Sequence, residues 1–118
     1  MAGKLTNEYG SINIDESVIE TIAGLAAIES YGLVGMSSRN ATDGLVELLK
    51  KEHVKKGVKV YTDGDRIVVD LFVVVQFGTK ISVVADNIID KVKYNIESMT
   101  GLKVEKVNIN VQGVRVQK

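Results

Sequence analysis

Few residues in this 118-residue chain could carry acid–base or metal chemistry. The sequence contains no cysteine and a single histidine, His53, which excludes thiolate nucleophiles, disulfides and thiolate metal sites. His53 is surrounded by Lys50, Lys51, Lys55 and Lys56, and like charges disfavour its protonation. No partner ligand lies near it in the sequence. These features predict a surface histidine rather than a catalytic or metal-binding one.

Two short segments resemble ligand-binding loops but lack the residues those loops require. Asp63 and Asp65 flank Gly64, yet an EF-hand loop starting at Asp63 would need its closing Glu where Val74 stands. The segment 78–80 is Gly-Thr-Lys, but it lacks the two glycines that a phosphate loop has at fixed spacing before its lysine, and Ile81 stands where Ser or Thr should follow. The sequence therefore predicts no catalytic or metal site, no cofactor, no small-molecule substrate and no enzymatic activity.

A nucleic-acid-binding loop is the main alternative that single residues suggest. Gly32-Leu33-Val34-Gly35 matches the GxxG form of KH-type modules, and Lys50 to Lys59 forms a modest basic segment. The two middle residues of the loop are aliphatic, basic and acidic residues both number 15, and aromatic residues make up 5%. Nucleic-acid binding is therefore disfavoured, and an RNA-binding KH-like module using Gly32–Gly35 and the lysines stays open as an alternative.

The composition is that of a globular domain, with 45% hydrophobic and 25% charged residues. The absence of cysteine agrees with a reducing compartment. No apolar stretch has the length of a signal peptide or of a spanning helix of about 20 residues. We therefore expect a cytoplasmic location, a flexible N-terminus over residues 1–8 and a single domain over residues 9–118.

The first half of the chain predicts a strand, a helix, a second strand and a short helix. Residues 11–14 alternate polar and apolar side chains, and Asp15 then suits a helix N-cap. Ser17 and Glu20 have capping-box spacing. The apolar side of this helix, near residues 16–30, is formed by Val18, Ile22, Leu25 and Ala26, with Gly32 as its stop. A strand over 33–38 and a short helix beginning at Thr42 or Asp43 follow.

The second half predicts a hairpin, a long helix and a final strand. Apolar residues alternate on either side of Asp63-Gly64-Asp65, which is a hairpin signal. Val68, Phe72 and Val74 lie on the opposite face of the second strand, so this strand is expected to be central and covered on both faces. A helix is predicted near residues 80–99, with an apolar side formed by Ile81, Val84, Ala85, Ile88, Val92, Ile96 and Met99. The apolar parity of the last strand shifts beyond Val111, which predicts a bulge at Gly113.

These elements predict an α+β fold in a single domain. A mixed sheet of about four or five strands would carry the two main helices on one face, with one short extra helix. A binding surface is expected where apolar side chains need cover and where the bulge directs side chains outward. The candidate partner-binding residues are Lys50, Lys51, Lys55, Lys56, Val68, Phe72, Val74, Gln112 and Arg115.

Several segments together resemble one known family, the alkaline shock proteins, also described as envelope stress-response proteins. The resemblance extends from Tyr9 to Val116. It rests on Tyr31-Gly32-Leu33-Val34-Gly35-Met36, Asp43-Gly44-Leu45, Phe77-Gly78-Thr79-Lys80-Ile81-Ser82, Lys91-Val92-Lys93-Tyr94, Thr100-Gly101-Leu102 and Val107-Asn108-Ile109-Asn110-Val111-Gln112-Gly113-Val114-Arg115-Val116.

The resemblance implies a function without catalysis. The small size is similar to the short, anchor-free housekeeping branch, whose genes often lie beside one for a kinase-like protein. The resemblance implies a role in cell-envelope homeostasis and self-association. In some relatives it also implies recruitment to the membrane by a separate anchor protein. Protein partners are therefore expected, among them the chain itself, a kinase-like protein or a membrane-anchor protein. A further alternative is that this chain is itself a regulatory partner of a lipid-metabolism kinase or carboxylase.

Overall fold

One long strand organises the sheet, and every other strand of that sheet pairs with it. The computed structural model describes residues 3–30, 33–36, 57–63 and 65–116. Their elements in chain order are β1 (Gly3–Asn7), β2 (Gly10–Ile14), α1 (Glu16–Ile28), β3 (Leu33–Met36), β4 (Val58–Asp63), β5 (Arg66–Gln76), α2 (Ile81–Thr100) and β6 (Lys103–Arg115). The predicted short helix near residue 43 and the lysines of the predicted basic segment from 50 to 56 lie outside the described residues.

The strand β5 is the centre of a four-stranded mixed sheet. Along one edge, β4 pairs antiparallel with residues 66–71 of β5, and β3 pairs antiparallel with residues 73–75. Along the other edge, β6 pairs parallel with residues 66–76. The fold is α+β with a mixed sheet of four strands and two described helices, which confirms the predicted fold class and the central position of this strand.

Two bulges interrupt the pairing of β6 with β5. Val73 pairs with Val111 and Val74 with Gly113, so Gln112 is the extra residue and the predicted shift beside Gly113 is confirmed. A second irregularity, which the sequence analysis did not predict, lies near the start of β6, where Glu105 is skipped between two paired residues. The two bulges bend the same strand near its two ends.

The strands β1 and β2 form a separate antiparallel hairpin. Its turn is closed by the side chain of Asn7, whose Oδ1 accepts a hydrogen bond from the Tyr9 backbone N–H at 2.8 Å. The sequence predicted a flexible N-terminus over residues 1–8, and the strand β1 was not predicted. A methyl group added to Gly3 would lie 2.4 Å from Leu102, so this hairpin contacts the junction between α2 and β6.

The helix α1 begins where the sequence predicts but faces the core differently. Asp15 is the N-cap, and its side chain accepts a hydrogen bond from the Ser17 N–H at 3.1 Å. The predicted capping box at Ser17 is therefore replaced by this Asp15 cap. Val18 and Leu25, predicted for the apolar side, are exposed. The buried hydrophobic residues of α1 are Ile19, Ala23, Ala26 and Ala27.

The helix α2 follows the predicted pattern in its middle turns, whereas Ile81 and Met99, predicted for the apolar side, are exposed at its two ends. Its buried residues are Val84, Ile88, Val92 and Ile96, one turn apart from each other. Gly101 ends the helix in the left-handed conformation, with φ of 80°. At the same end, the Glu97 side chain accepts a hydrogen bond from the Val104 N–H at 2.9 Å, which ties the helix to β6.

The core lies between the two helices and one face of the sheet. Alternate residues of β5 are at most 1% exposed there, and they belong to one cluster with the buried residues of both helices. These β5 residues are Ile67, Val69, Leu71, Val73 and Val75. Since both described helices pack on this face, neither of them covers the opposite face of the sheet.

Candidate partner-binding surface

The outer face of the sheet, turned away from α1 and α2, collects most of the predicted partner-binding residues that the structure describes. Val68, Phe72 and Val74 project from β5 on this face, since they alternate with the core residues. Val68 is 8% exposed, whereas Phe72 and Val74 are half-buried. The prediction that β5 is covered on both faces is therefore correct at Val68, which is buried, and only partly correct at Phe72 and Val74, which are half-buried.

The bulge region lies at the far end of the same sheet. Gly113 pairs with Val74 on the outer face, and Arg115 pairs with Gln76 at the ends of β6 and β5. The carbonyl oxygen of Arg115 accepts a hydrogen bond from the Phe77 N–H at 2.9 Å. Arg115 is exposed, in line with the predicted outward direction. The structure thus brings this region together with the apolar residues of β5.

A polar cluster that sequence reasoning missed lies at the centre of the outer face. Asp70 of β5 accepts a hydrogen bond at Oδ2 from the Tyr61 hydroxyl of β4 and another at Oδ1 from Asn108 Nδ2 of β6, at 2.8 Å. Asn110 Nδ2 donates to the carbonyl oxygen of Leu71 at 3.2 Å. The available signal was the alternation itself, which places Asp70 between Val68 and Phe72 on one face.

The polar cluster keeps the Tyr61 hydroxyl protonated. The hydrogen bond to Asp70 raises the pKa of Tyr61 above its ordinary value of 10.0, with smaller contributions from burial and from the carboxylate charge. Tyr61 is therefore a neutral donor at physiological pH, and both oxygens of Asp70 already accept hydrogen bonds.

The polar cluster opens into a shallow concavity of about 660 Å³. It extends around the free side of β6, because it is lined both by outer-face residues and by residues of the helix-bearing face. The lining residues are Tyr61, Asp70, Phe72, Ala85, Ile89, Val107, Asn108, Ile109 and Asn110. A second hollow of about 250 Å³ lies at the end of β5 beside the exposed Phe77.

Among the described residues, no group of three or more His, Asp or Glu side chains could hold a metal ion. No helix in the described ranges is long and apolar enough to cross a membrane. The predicted residues Lys50, Lys51, Lys55 and Lys56 lie outside those ranges. Of the predicted GxxG segment, residues 33–35 belong to β3, where Leu33 and Gly35 pair with β5. Backbone groups that pair within a sheet are not available to bind phosphates as a GxxG loop does.

Comparison with known proteins then gives the family. Residues 4–116 match the model of the alkaline shock protein family, which is described as having a "cell envelope-related function". The chain belongs to this family. The match confirms the predicted resemblance, and it covers the whole of the sheet and both helices.

Relatives from two bacteria support the assignment. The chain is 49% identical over 117 residues to the uncharacterized protein YloU of Bacillus subtilis, covering 98% of each chain. It is 41% identical to the uncharacterized protein Spy1614 of Streptococcus pyogenes, covering 98% of this chain and 97% of the relative. It is 30% identical over 108 residues to a stress response regulator gls24 homolog of S. pyogenes, covering 92% of this chain and 60% of that protein. No solved structure matches the chain.

Proposed function

We propose that this chain is a non-catalytic binding module that supports the cell envelope under stress, that it self-associates, and that it docks a protein partner on its outer face. The envelope and stress parts of this function rest on the family description and on the name of the gls24 relatives. The binding part rests on the arrangement of side chains in the sheet.

One observation carries the docking surface: β5 bears apolar residues on both faces, while α1 and α2 pack on only one of them. Half-buried Phe72 lines the same concavity as Tyr61, Asp70 and Asn108, and half-buried Val74 follows it on the same face of β5. Aromatic and aliphatic contact area surrounded by satisfied polar groups is typical of protein interfaces, where it combines burial with orientation.

The partner in this proposal is a protein, with a kinase-like or a membrane-anchor protein as the leading candidate. The module itself is cytoplasmic and reaches the membrane through that partner. A regulatory role toward a lipid-metabolism kinase or carboxylase would use the same outer face. These candidates differ in which protein is bound, but each of them would bind the same outer face of the sheet.

The docking surface is tested by replacing Phe72 with serine, and separately Val74 with serine. Val83, an exposed residue of α2 on the opposite side of the molecule, provides the matched control Val83→Ser. In cells lacking the native gene, wild-type protein and Val83→Ser should restore growth under envelope stress, whereas the two outer-face variants should not. Circular dichroism melting must show that each variant is folded. Full rescue by both outer-face variants would contradict this surface.

The RNA-binding alternative makes a separate prediction. Electrostatic binding to RNA falls steeply with salt, because contacts with phosphates release counterions. Fluorescence anisotropy with a labelled single-stranded RNA at low and physiological salt would measure this. Under the proposed function no salt-dependent binding is expected, and neutralising Lys50, Lys51, Lys55 and Lys56 should leave the anisotropy of the RNA unchanged.

A further inference from the structure

The free side of β6 is the longest unpaired strand edge that the structure describes. Within the described residues, β6 pairs with no strand except β5, over residues 103–115, although the Val104 N–H near its start already donates to the Glu97 side chain. Exposed edges of this length are templates for pairing with another chain.

The apolar residues of this segment are arranged symmetrically about Ile109. Val107 and Val111 lie two residues to either side, Val104 and Val114 lie five, and Leu102 and Val116 lie seven. Polar residues follow the same symmetry, since Asn108 and Asn110 flank the centre. A strand whose pattern reads alike in both directions is complementary to an antiparallel copy of itself, because direct opposition in an antiparallel pair places like faces together.

The two bulges of β6 obey the same symmetry. The extra residue Glu105 lies between Val104 and Val107, and the extra residue Gln112 lies between Val111 and Val114. When Ile109 lies opposite Ile109 of a second copy, residues 104–107 of one copy lie opposite residues 111–114 of the other. Each bulge then faces the other bulge, and apolar residues oppose apolar residues along the whole strand. The bulges therefore support one register of self-pairing and disfavour others.

Other registers lose this match. A shift that places Asn108 opposite itself would set Val104 opposite Gln112 and Val111 opposite Glu105. A shift to Asn110 would set Val114 opposite Lys106. A shift by a single residue would turn one copy over, because it exchanges the two faces of its strand, and the helices of the two copies would then lie on opposite sides of the joined sheet.

Exposed apolar area lies along the same edge. Ile109 and Val111 are half-buried, and Val114 is 46% exposed. Ala85 and Ile89 of α2 line the concavity beside this edge. A second copy would cover these groups. One like-charged pair, Lys103 with Arg115, would form at each solvent-exposed end, with Glu105 as a diagonal neighbour, and such exposed charges contribute little.

We infer that β6 pairs antiparallel with β6 of a second copy about a twofold axis at Ile109, which joins two four-stranded sheets into one continuous sheet. This inference rests on the self-association in the proposed function and gives it a surface and a register. The axis is perpendicular to the sheet, so the helices of both copies lie on one side. The outer faces of both copies are then continuous and stay available for a protein partner.

A matched pair of variants tests the edge. Val114→Lys places a charge at the paired edge, whereas Val83→Lys places the same charge on α2, away from β6, at a residue of similar exposure, 51%. Analytical ultracentrifugation should show dimers for the wild type and Val83→Lys. For Val114→Lys, the dissociation constant should rise at least about tenfold, a loss of about 1.4 kcal/mol.

Disulfide cross-linking tests the register. Because the chain has no native cysteine, only the introduced cysteines can form disulfides. Ile109→Cys should form a disulfide-linked dimer alone. Asn108→Cys and Asn110→Cys should cross-link when mixed and much less when each is alone, because identical residues would then lie beyond disulfide reach. A strictly monomeric wild type would overturn self-association itself. A dimer that Val114→Lys leaves intact, or one in which Asn108→Cys cross-links best alone, would overturn the β6 pairing while self-association stands.

Discussion

The side chain of Asn108 donates a hydrogen bond to the carboxylate of Asp70 at 2.8 Å and so joins β6 to β5 across the outer face. The hydroxyl of Tyr61 donates to the other carboxylate oxygen and joins β4 to the same residue. One carboxylate thus links three strands. These hydrogen bonds hold β4, β5 and β6 together across the outer face.

Removal of this carboxylate should change the titration of Tyr61. Its pKa is raised above 10.0 mainly by the hydrogen bond to Asp70, so Asp70→Ala should lower it. Tyrosinate absorbance recorded against pH checks this, with Tyr61→Phe subtracted to isolate the residue. An unchanged titration curve in Asp70→Ala would mean that the hydrogen bond does not form in solution.

The same bond predicts a direction for stability against pH. Folding raises the pKa of Tyr61, so its contribution to stability is fully present below the ordinary value of 10.0. That contribution is lost as pH rises through the folded-state pKa. Urea denaturation at neutral and strongly alkaline pH should therefore show a smaller alkaline loss of stability for Tyr61→Phe than for the wild type. The reverse order would count against the assigned sign.

Truncation of the core at α2 should be costly. Ile88 is fully buried between the helices and the sheet, and Ile88→Ala should lower the free energy of unfolding by about 2–5 kcal/mol through lost burial and a cavity. Val83 lies on the exposed side of the same helix, so Val83→Ala should stay within about 0.5 kcal/mol. Chemical denaturation of both variants measures the difference, and similar small effects would contradict the assigned helix face.

The cap of α1 should contribute measurably to stability. Asp15 accepts hydrogen bonds from the backbone N–H and the hydroxyl of Ser17, and it lies at the positive end of the helix dipole. Asp15→Ala should destabilise the protein by about 0.5–2 kcal/mol, whereas Asp15→Asn should retain most of the cap. Thermal melts of the two variants decide the matter. Equal losses would indicate that charge, and not capping, is the main contribution.

Glycine is required at the end of α2 and tolerates replacement in β6. Gly101 has φ of 80°, so Gly101→Ala should cost about 1–2 kcal/mol. Gly113 lies in the strand, and an added methyl group would meet Val74 at an ordinary 3.7 Å. Gly113→Ala should therefore have a small effect in the same denaturation experiment. A larger loss at Gly113 would contradict the packing at the bulge.

Sequence periodicity predicted the parts of the fold in which large apolar residues decide the structure. The spacing of Val84, Ile88 and Val92 gives the correct face of α2, and the shift in parity after Val111 gives the bulge. In α1 the pattern was misleading. Small residues such as Ala23 and Ala27 face the core there, because they allow the helix to approach α2, β3 and β4 closely, while Val18 and Leu25 are left outside.

The polar cluster was not predicted, because tertiary pairing brings its members together. Asp70 and Asn108 are 38 residues apart in the sequence, and only the register of β5 with β6 makes them neighbours. The strand β1 gave little signal because Leu5 is the single large apolar residue in Gly3–Asn7. The apolar half of the outer face, with Val68, Phe72 and Val74, followed directly from alternation.

The parallel pairing of β5 with β6 has a consequence for synthesis of the chain. The hydrogen bond between Asn110 and Leu71 joins residues 39 positions apart, so β5 leaves the ribosome well before the strand that covers one of its edges. At a translation rate of about 5–20 residues per second, that edge waits for roughly 2–8 seconds. Nascent chains held at this stage should be more prone to aggregation than the finished protein, and chaperone binding during translation should be strongest there.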